Sequence, residues 1–247
     1  HVFPLLGFQR FADETAMRNP ARTGTFIDDS ALYGEIRQVL ETAAPSRPVF
    51  AFGITMQAHG DYAAAGRYPS AVTLPPRIAA RLGPAERRSL ATYAAIIQHH
   101  ERATCEFIDW IKTRQRETVM LYFGDHLPAL GQGLRPYQSL GILSEDVAAE
   151  RYRDHRRLYT TPMFIWSNRR GFLARNPDPV PAFALGGSLM EAASLPVPAH
   201  FRFSLGQAAA YRDLACCYVN REGERVSLGD TPLEVLYRHA WDHLLRR

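Results

Sequence analysis

The sequence predicts an α/β fold in which a mainly parallel sheet is covered by helices. Three observations predict it. Val49-Phe50-Ala51-Phe52-Gly53-Ile54-Thr55 and Thr118-Val119-Met120-Leu121-Tyr122-Phe123 are short apolar runs rich in β-branched and aromatic residues, the composition of buried strands. Between them, residues 85–114 carry Leu90, Tyr93, Ala94, Ile97, Thr104, Ile108 and Ile111 at helical spacing, which marks the inner face of a long helix. A strand, a crossover helix and a second strand are how parallel strands are joined.

The remaining elements follow in order. Residues 24–44 predict a helix, with Asp28 or Asp29 as N-cap and Leu32, Ile36, Val39 and Leu40 on one face. Pro45 and Pro48 end it. The first strand, 49–55, runs into the polar loop Met56-Gln57-Ala58-His59-Gly60-Asp61-Tyr62. Residues 63–84 are rich in Pro, Gly and Ala and read as a surface excursion, and Pro84 sits in the first turn of the long helix. The second strand ends at Gly124-Asp125-His126. Residues 129–157 read as a loop and a helix, 161–166 as a third strand, and 183–195 as a short helix. Cys216–Asn220 reads as a strand and Leu233–Leu245 as a closing amphipathic helix.

Composition narrows the function. The chain has 247 residues, 46% apolar and 22% charged, as globular domains do, which excludes disordered and coiled-coil classes. There is no apolar run of about 18 residues to span a bilayer, and HVFPLLGFQR is not a secretory leader. The chain opens on His1 without a methionine, which points to a processed product or part of something longer. Net charge is +4. Lys112 is the only lysine, and the arginines are dispersed with no basic run of 5–8 residues, so no nucleic-acid partner is expected. Cys105, Cys216 and Cys217 form no C-x-x-C and no disulfide framework. Motifs for a nucleophile elbow, a P-loop or a dinucleotide fold are absent from the sequence.

Ligands of open α/β sheets bind beyond the carboxyl ends of strands, and two such ends carry reactive side chains. Asp125-His126 pairs a carboxylate with an imidazole, and both suit a divalent cation. Adjacent residues reach one ion only where the strand breaks, and Leu127-Pro128 breaks it. The bland alternative is a loop-capping aspartate beside a structural histidine. His59 lies in a Gly-flanked loop where an imidazole can donate to an anionic oxygen; the bland alternative is a solvated histidine. His99 and His100 are adjacent on a helix and do not share a face. His239 and His243 are i,i+4 without the carboxylate of H-E-x-x-H and read as a solvated face.

Five segments, in order, then resemble one family. They are Leu6-Gly7-Phe8-Gln9-Arg10-Phe11, Phe52–Tyr62 with its T-x-x-x-H-x-x-Y, Phe107-Ile108-Asp109-Trp110-Ile111, Tyr122-Phe123-Gly124-Asp125-His126-Leu127-Pro128-Ala129-Leu130-Gly131, and Tyr159–Asn168 with its T-P-x-x-I-W-S-N. Together they resemble lipoteichoic-acid-synthase-like phosphoglycerol transferases of the sulfatase branch of the alkaline phosphatase superfamily. The resemblance implies an α/β/α sandwich with a mainly parallel central sheet, tethered to the bacterial cytoplasmic membrane and facing the periplasm or cell exterior. It implies one divalent metal ion (Mn, Mg or Zn) and a threonine nucleophile. It implies transfer of phosphoglycerol or phosphoethanolamine from a phospholipid head group, or hydrolysis of phosphate or sulfate esters, with phosphorylated or sulfated glycans among the substrates. By matching position Asp125 and His126 would be metal ligands, and His59 would contact the transferring phosphate in the same cleft.

The family's first metal-binding acid and its threonine lie upstream of the segment matching residues 1–11. Residues 1–247 are therefore expected to be the carboxyl-terminal part of a single catalytic domain, incomplete on its N-terminal side and inactive alone, with its membrane anchor in the missing segment. No histidine between Leu127 and Asp154 supplies the second zinc site of related phosphoethanolamine transferases. The alternative reading is a nucleophile-less relative that binds anionic glycans or lipid head groups.

Overall fold

The computed structural model describes residues 3–17, 20–60, 62–63, 72–131, 134–144, 157–158, 160–172 and 179–208, and the backbone of 211–213, 218–220 and 225–226. It divides into two units, residues 1–113 with 128–150 and residues 114–127 with 151–247.

In the first unit, Arg22–Thr23 (β1) and Phe26–Ile27 (β2) form a small antiparallel hairpin that leads into α1, Asp29–Thr42. Asp28 is the N-cap, but its side chain caps nothing; it takes a hydrogen bond from the Thr23 hydroxyl instead. The helix start is satisfied from elsewhere, because the Gln57 side-chain oxygen accepts the Asp29 N–H at 2.9 Å. A short helix α2, Pro76–Ala79, precedes the long α3, Pro84–Thr113. At its start the Glu86 carboxylate accepts the Gly83 N–H at 2.8 Å, a capping contact that also places acid near the positive end of the helix.

Helices α1 and α3 pack on each other. Tyr33 stacks on Phe107 with ring centroids 4.7 Å apart, and its hydroxyl meets Thr104 at 2.9 Å. Burial pushes the Tyr33 phenol pKa up, so it stays a donor. Ile96, Ala103 and Ile111 complete this core. The inner face of α3 overlaps the predicted one, sharing Thr104 and Ile111, without being identical to it. Ser89, Ile96, His100, Ala103, Thr104, Phe107 and Ile111 are buried, while Ile97 is exposed. Leu82, just before α3, is buried, as are Leu130, Leu143 and Tyr137, the last on α4 (Arg135–Ser139). The Tyr137 hydroxyl donates to the Pro128 carbonyl at 2.6 Å, and burial pushes its pKa up.

In the second unit, β3 (Val119–Phe123) pairs with β4 (Met163–Ser167) over its whole length, Val119 opposite Ser167 and Phe123 opposite Met163. Asn168 fastens the entry to β3. Its Oδ1 accepts the Thr118 N–H at 2.8 Å, and its Nδ2 donates to the carbonyls of Arg114 and Arg116 at 3.1 and 3.0 Å. Helix α5 (Leu185–Ala192) packs on β3 and on α6 (Ala199–Ala208). Arg169 ties the end of α5 to the loop before β3, through the Ala192 carbonyl and Glu117. Short strands β5 (Tyr211–Asp213), β6 (Tyr218–Asn220) and β7 (Arg225–Val226) form an antiparallel sheet.

Two local features of strand pairing differ from expectation among the described residues. Every strand pairing among the described residues is antiparallel. Residues 49–55, expected as a buried strand, join no ladder among the described residues, and Phe50, Phe52 and Ile54 are exposed. The run has the composition of a strand but no pairing neighbour among the described residues. Strand Cys216–Asn220 is present as Tyr218–Asn220; Cys216, Cys217 and the predicted helix Leu233–Leu245 lie outside the described residues.

Candidate metal and phosphate site

Antiparallel bonding continues past β3 and frames Asp125 and His126. The Gly124 N–H donates to the Pro162 carbonyl at 3.1 Å and the Leu127 N–H to the Leu158 carbonyl at 2.7 Å. That is three residue steps on one side against four on the other, so the ladder is irregular here. An irregularity of this kind lets neighbouring side chains leave strict alternation. Both side chains are solvent-facing, 82% exposed for Asp125 and 50% for His126.

Gly124 sits in tight surroundings. A Cβ there would stand 3.0 Å from the Thr161 Cβ, and the Thr161 hydroxyl donates to the Gly124 carbonyl at 2.6 Å. Thr161 therefore holds the strand end from which Asp125 projects. Its role could have been read from the small residue beside the Asp-His pair, which implies a close neighbour, but the sequence alone does not say which one. Gly124→Val should destabilise the protein by about 1–3 kcal/mol through overpacking, measured by urea denaturation, whereas Thr161→Ser, which keeps the hydroxyl, should cost less.

The Asp125–His126 geometry suits a cation. Asp125 Oδ1 accepts the His126 N–H at 2.8 Å, which fixes the carboxylate. His126 Nδ1 lies 3.0 Å from the Leu127 carbonyl oxygen. A carbonyl only accepts, so Nδ1 donates there, and a ring that is neutral in this tautomer would present the Nε2 lone pair. Nε2 is 3.4 Å from Asp125 Oδ2. Two ligand atoms about 2.1 Å from one ion at a near-tetrahedral angle stand roughly 3.4 Å apart. The pair thus fits two positions of a divalent metal. Among the described residues no group of three or more His, Cys, Asp or Glu side chains converges to complete such a site.

His59 belongs to the first unit, whereas Asp125 and His126 belong to the second. The His59 N–H closes a turn onto the Met56 carbonyl at 3.0 Å. Gly60 follows at φ +109°, a conformation that glycine alone adopts without strain. The loop is braced on both sides: buried Gln57 holds the start of α1, and the Tyr62 hydroxyl donates to the Ala58 carbonyl at 2.5 Å. The imidazole is exposed and meets the Phe26 ring edge-on at 5.6 Å. Such a loop presents His59 outward from a fixed backbone. Asp61 lies outside the described residues, as do His239 and His243.

Sequence reasoning passed over His100. Its Nδ1 lies 2.5 Å from Asp29 Oδ2, with the two side chains 10% and 1% exposed. This is a buried acid–imidazole pair, and Asp29 Oδ1 has no hydrogen-bond partner among the described residues. The Asp29 N–H is the group held by Gln57, so the pair also stands behind the His59 loop.

A sulfatase family model matches residues 1–194. The chain belongs to the sulfatase family. Among its relatives, "Putative cyclic beta-1,2-glucan modification protein" of Rhizobium meliloti (strain 1021) is 35% identical over 174 residues, covering 69% of this chain and 26% of the relative. "Capsular polysaccharide biosynthesis protein RkpI" of the same strain is 24% identical over 137 residues, covering 55% of this chain and 22% of the relative. The chain thus spans about a quarter of the length of these curated relatives. A solved structure, the Streptococcus pyogenes phosphoglycerol transferase GacH in complex with sn-glycerol-1-phosphate, superimposes with a TM-score of 0.65 at 19% identity, over 92% of this chain and 52% of that one. That likeness gives the fold: an alkaline-phosphatase-like α/β domain, here in part.

Proposed function

We propose that these 247 residues are the carboxyl-terminal part of the catalytic domain of a metal-dependent phosphoester transferase or hydrolase of the bacterial envelope. The observation that carries the reading is the Asp125–His126 pair, with its oriented tautomer and a 3.4 Å ligand spacing at a strand end. Membership of the sulfatase family and a fold shared with a phosphoglycerol transferase support it. The relatives' titles name modification of a cyclic glucan and synthesis of a capsular polysaccharide, so a surface glycan is the acceptor this reading favours. The donor is a phospholipid head group or a related phosphate ester.

The chain's residues would act as follows. Asp125 and His126 would hold one divalent ion (Mn, Mg or Zn), together with ligands that are not among the described residues. When bound, that ion supplies Lewis-acid polarisation of a phosphoryl oxygen. His59, on its braced turn, donates a proton or hydrogen bond to an oxygen of the transferring group. Thr161 and Asn168 keep β3 in place beneath Asp125. This reading expects a threonine nucleophile upstream of residue 1; no described helix is long and apolar enough to cross a membrane.

The test is turnover. The full-length protein should release glycerol phosphate from phosphatidylglycerol, or cleave a phosphodiester or sulfate ester reporter, only when manganese or another divalent ion is present. The 247-residue chain alone should show none. Metal-independent turnover by the full-length protein would contradict the proposal, and metal-dependent turnover by the short chain would place the nucleophile within it.

A further inference from the structure

A glutamine in an exposed loop ordinarily faces water. Gln57 does not. It is 3% exposed, beside a Met56 that is 43% exposed, and its Oε1 accepts the Asp29 N–H at 2.9 Å. That N–H belongs to the first turn of α1, where a helix offers no acceptor of its own, and the Asp28 side chain leaves it uncapped. Gln57 is also a central residue of the turn Met56-Gln57-Ala58-His59, which the His59 N–H closes onto the Met56 carbonyl at 3.0 Å. One side chain therefore ties the turn that carries His59 to the end of a helix.

Asp29 fixes where Gln57 docks. Its main chain holds Gln57, and its side chain reaches α3, where Oδ2 stands 2.5 Å from His100 Nδ1. One turn along each helix, the Tyr33 and Thr104 hydroxyls meet at 2.9 Å, and the Thr104 hydroxyl lies 3.4 Å from His100 Nε2. Asp29 and Tyr33 are i,i+4 on α1, as His100 and Thr104 are on α3, so the polar groups of the two helices face each other in register. All four residues are buried. Buried polar groups between helices specify register more than they add stability, because a slide of either helix would leave them without partners. The start of α1 is thus held at one place on α3, and Gln57 carries that placement to the loop.

We propose that Gln57, seated by the Asp29–His100 pair, is a positioning residue for His59. It fixes the turn from which the imidazole reaches the transferring phosphate, and it acts through His59 from its buried place behind the loop. This rests on the reading of His59 as the group that contacts that phosphate. Gly60 follows at φ +109° and is a pliant neighbour, so the turn depends on its anchors. These are Gln57 on the α1 side and the Tyr62 hydroxyl, which donates to the Ala58 carbonyl at 2.5 Å. What Gln57 supplies is aim: a donor displaced by about 1 Å from its productive place costs about a hundredfold in rate.

The test uses the full-length protein and Gln57→Met, which keeps the length of the side chain and loses the acceptor. On a phosphodiester reporter, kcat should fall about ten- to a hundredfold, with KM changed by less than about twofold. Added to His59→Ala, Gln57→Met should slow the enzyme no further, because no aimed imidazole is left to lose. A residue that only supports the fold would slow the double variant further, and that result would overturn the proposal, as would Gln57→Met with wild-type kcat. Hydrogen exchange read by mass spectrometry gives an answer independent of activity. Amides of residues 56–60 should exchange about tenfold faster or more in Gln57→Met, while those of α3 stay protected. Unchanged exchange at 56–60 would overturn the proposal. So would loss of α3 protection, which would make Gln57 a residue of the fold rather than of the loop. The two claims fail separately. Wild-type protein without metal-dependent turnover sinks the enzymatic reading, and exchange then decides alone whether Gln57 anchors the turn. Wild-type turnover with an unchanged Gln57→Met sinks only the positioning role.

Discussion

Asp29→Ala is expected to destabilise the first unit by about 1–3 kcal/mol, the cost of leaving a buried hydrogen-bonding group without its partner. Asp29 is 1% exposed, and His100 faces it at 2.5 Å from inside the α1–α3 packing. Without the carboxylate, His100 is left with the distant Thr104 hydroxyl at 3.4 Å among its contacts. The gap left where Asp29 was adds a cavity term. Unfolding in urea, followed by circular dichroism, should show the midpoint falling with little change in slope. Because Oδ1 is already unpartnered, Asp29→Asn is the informative companion. It keeps the volume and one acceptor oxygen, and should cost less than alanine. If both substitutions left the midpoint unchanged, the pair would not be holding the two helices.

The second large effect concerns catalysis by the full-length protein. Asp125→Asn and His126→Ala should each lower kcat by about 10³-fold or more, since each removes a ligand from a site that acts as a unit. Asn keeps the shape of Asp125 and accepts the His126 N–H, so its loss of activity would report charge and not folding. His59→Ala should do less, about 10²–10³-fold, the scale of one lost donor to a developing anion. Its effect should also persist at saturating metal, whereas added manganese should partly restore His126→Ala. An Asp125→Asn enzyme with wild-type kcat would remove Asp125 from the site.

Much of this was legible in the sequence, for physical reasons. Helix α3 was readable because 30 residues of 3.6-residue periodicity overwhelm local noise. Strands β3 and β4 were readable because their apolar runs are short and bounded, and the break after Phe123 was written in Gly124 and Pro128. Asp125 and His126 stood out as an adjacent acid and imidazole at a strand end. Part of the buried face of α3 escaped apolar counting, which cannot see that His100 has an acid waiting in α1, 71 residues away. Gln57 escaped notice for the same reason, since its partner is the Asp29 N–H and not a charge. The parallel pairing of 49–55 with 119–123 was inferred from order alone. Order says that strands share a sheet but not which are neighbours, and β3 pairs with β4 from later in the chain.

The central claim is that Asp125 and His126 hold the metal of a phosphoester site. Anomalous scattering from crystals of the full-length protein grown with manganese tests it most directly. The account predicts one strong peak within about 2.0–2.3 Å of both Asp125 Oδ2 and His126 Nε2, with the remaining ligands drawn from residues outside those described here. A manganese peak elsewhere, with the Asp125 carboxylate and the His126 ring bound to no metal, would contradict it.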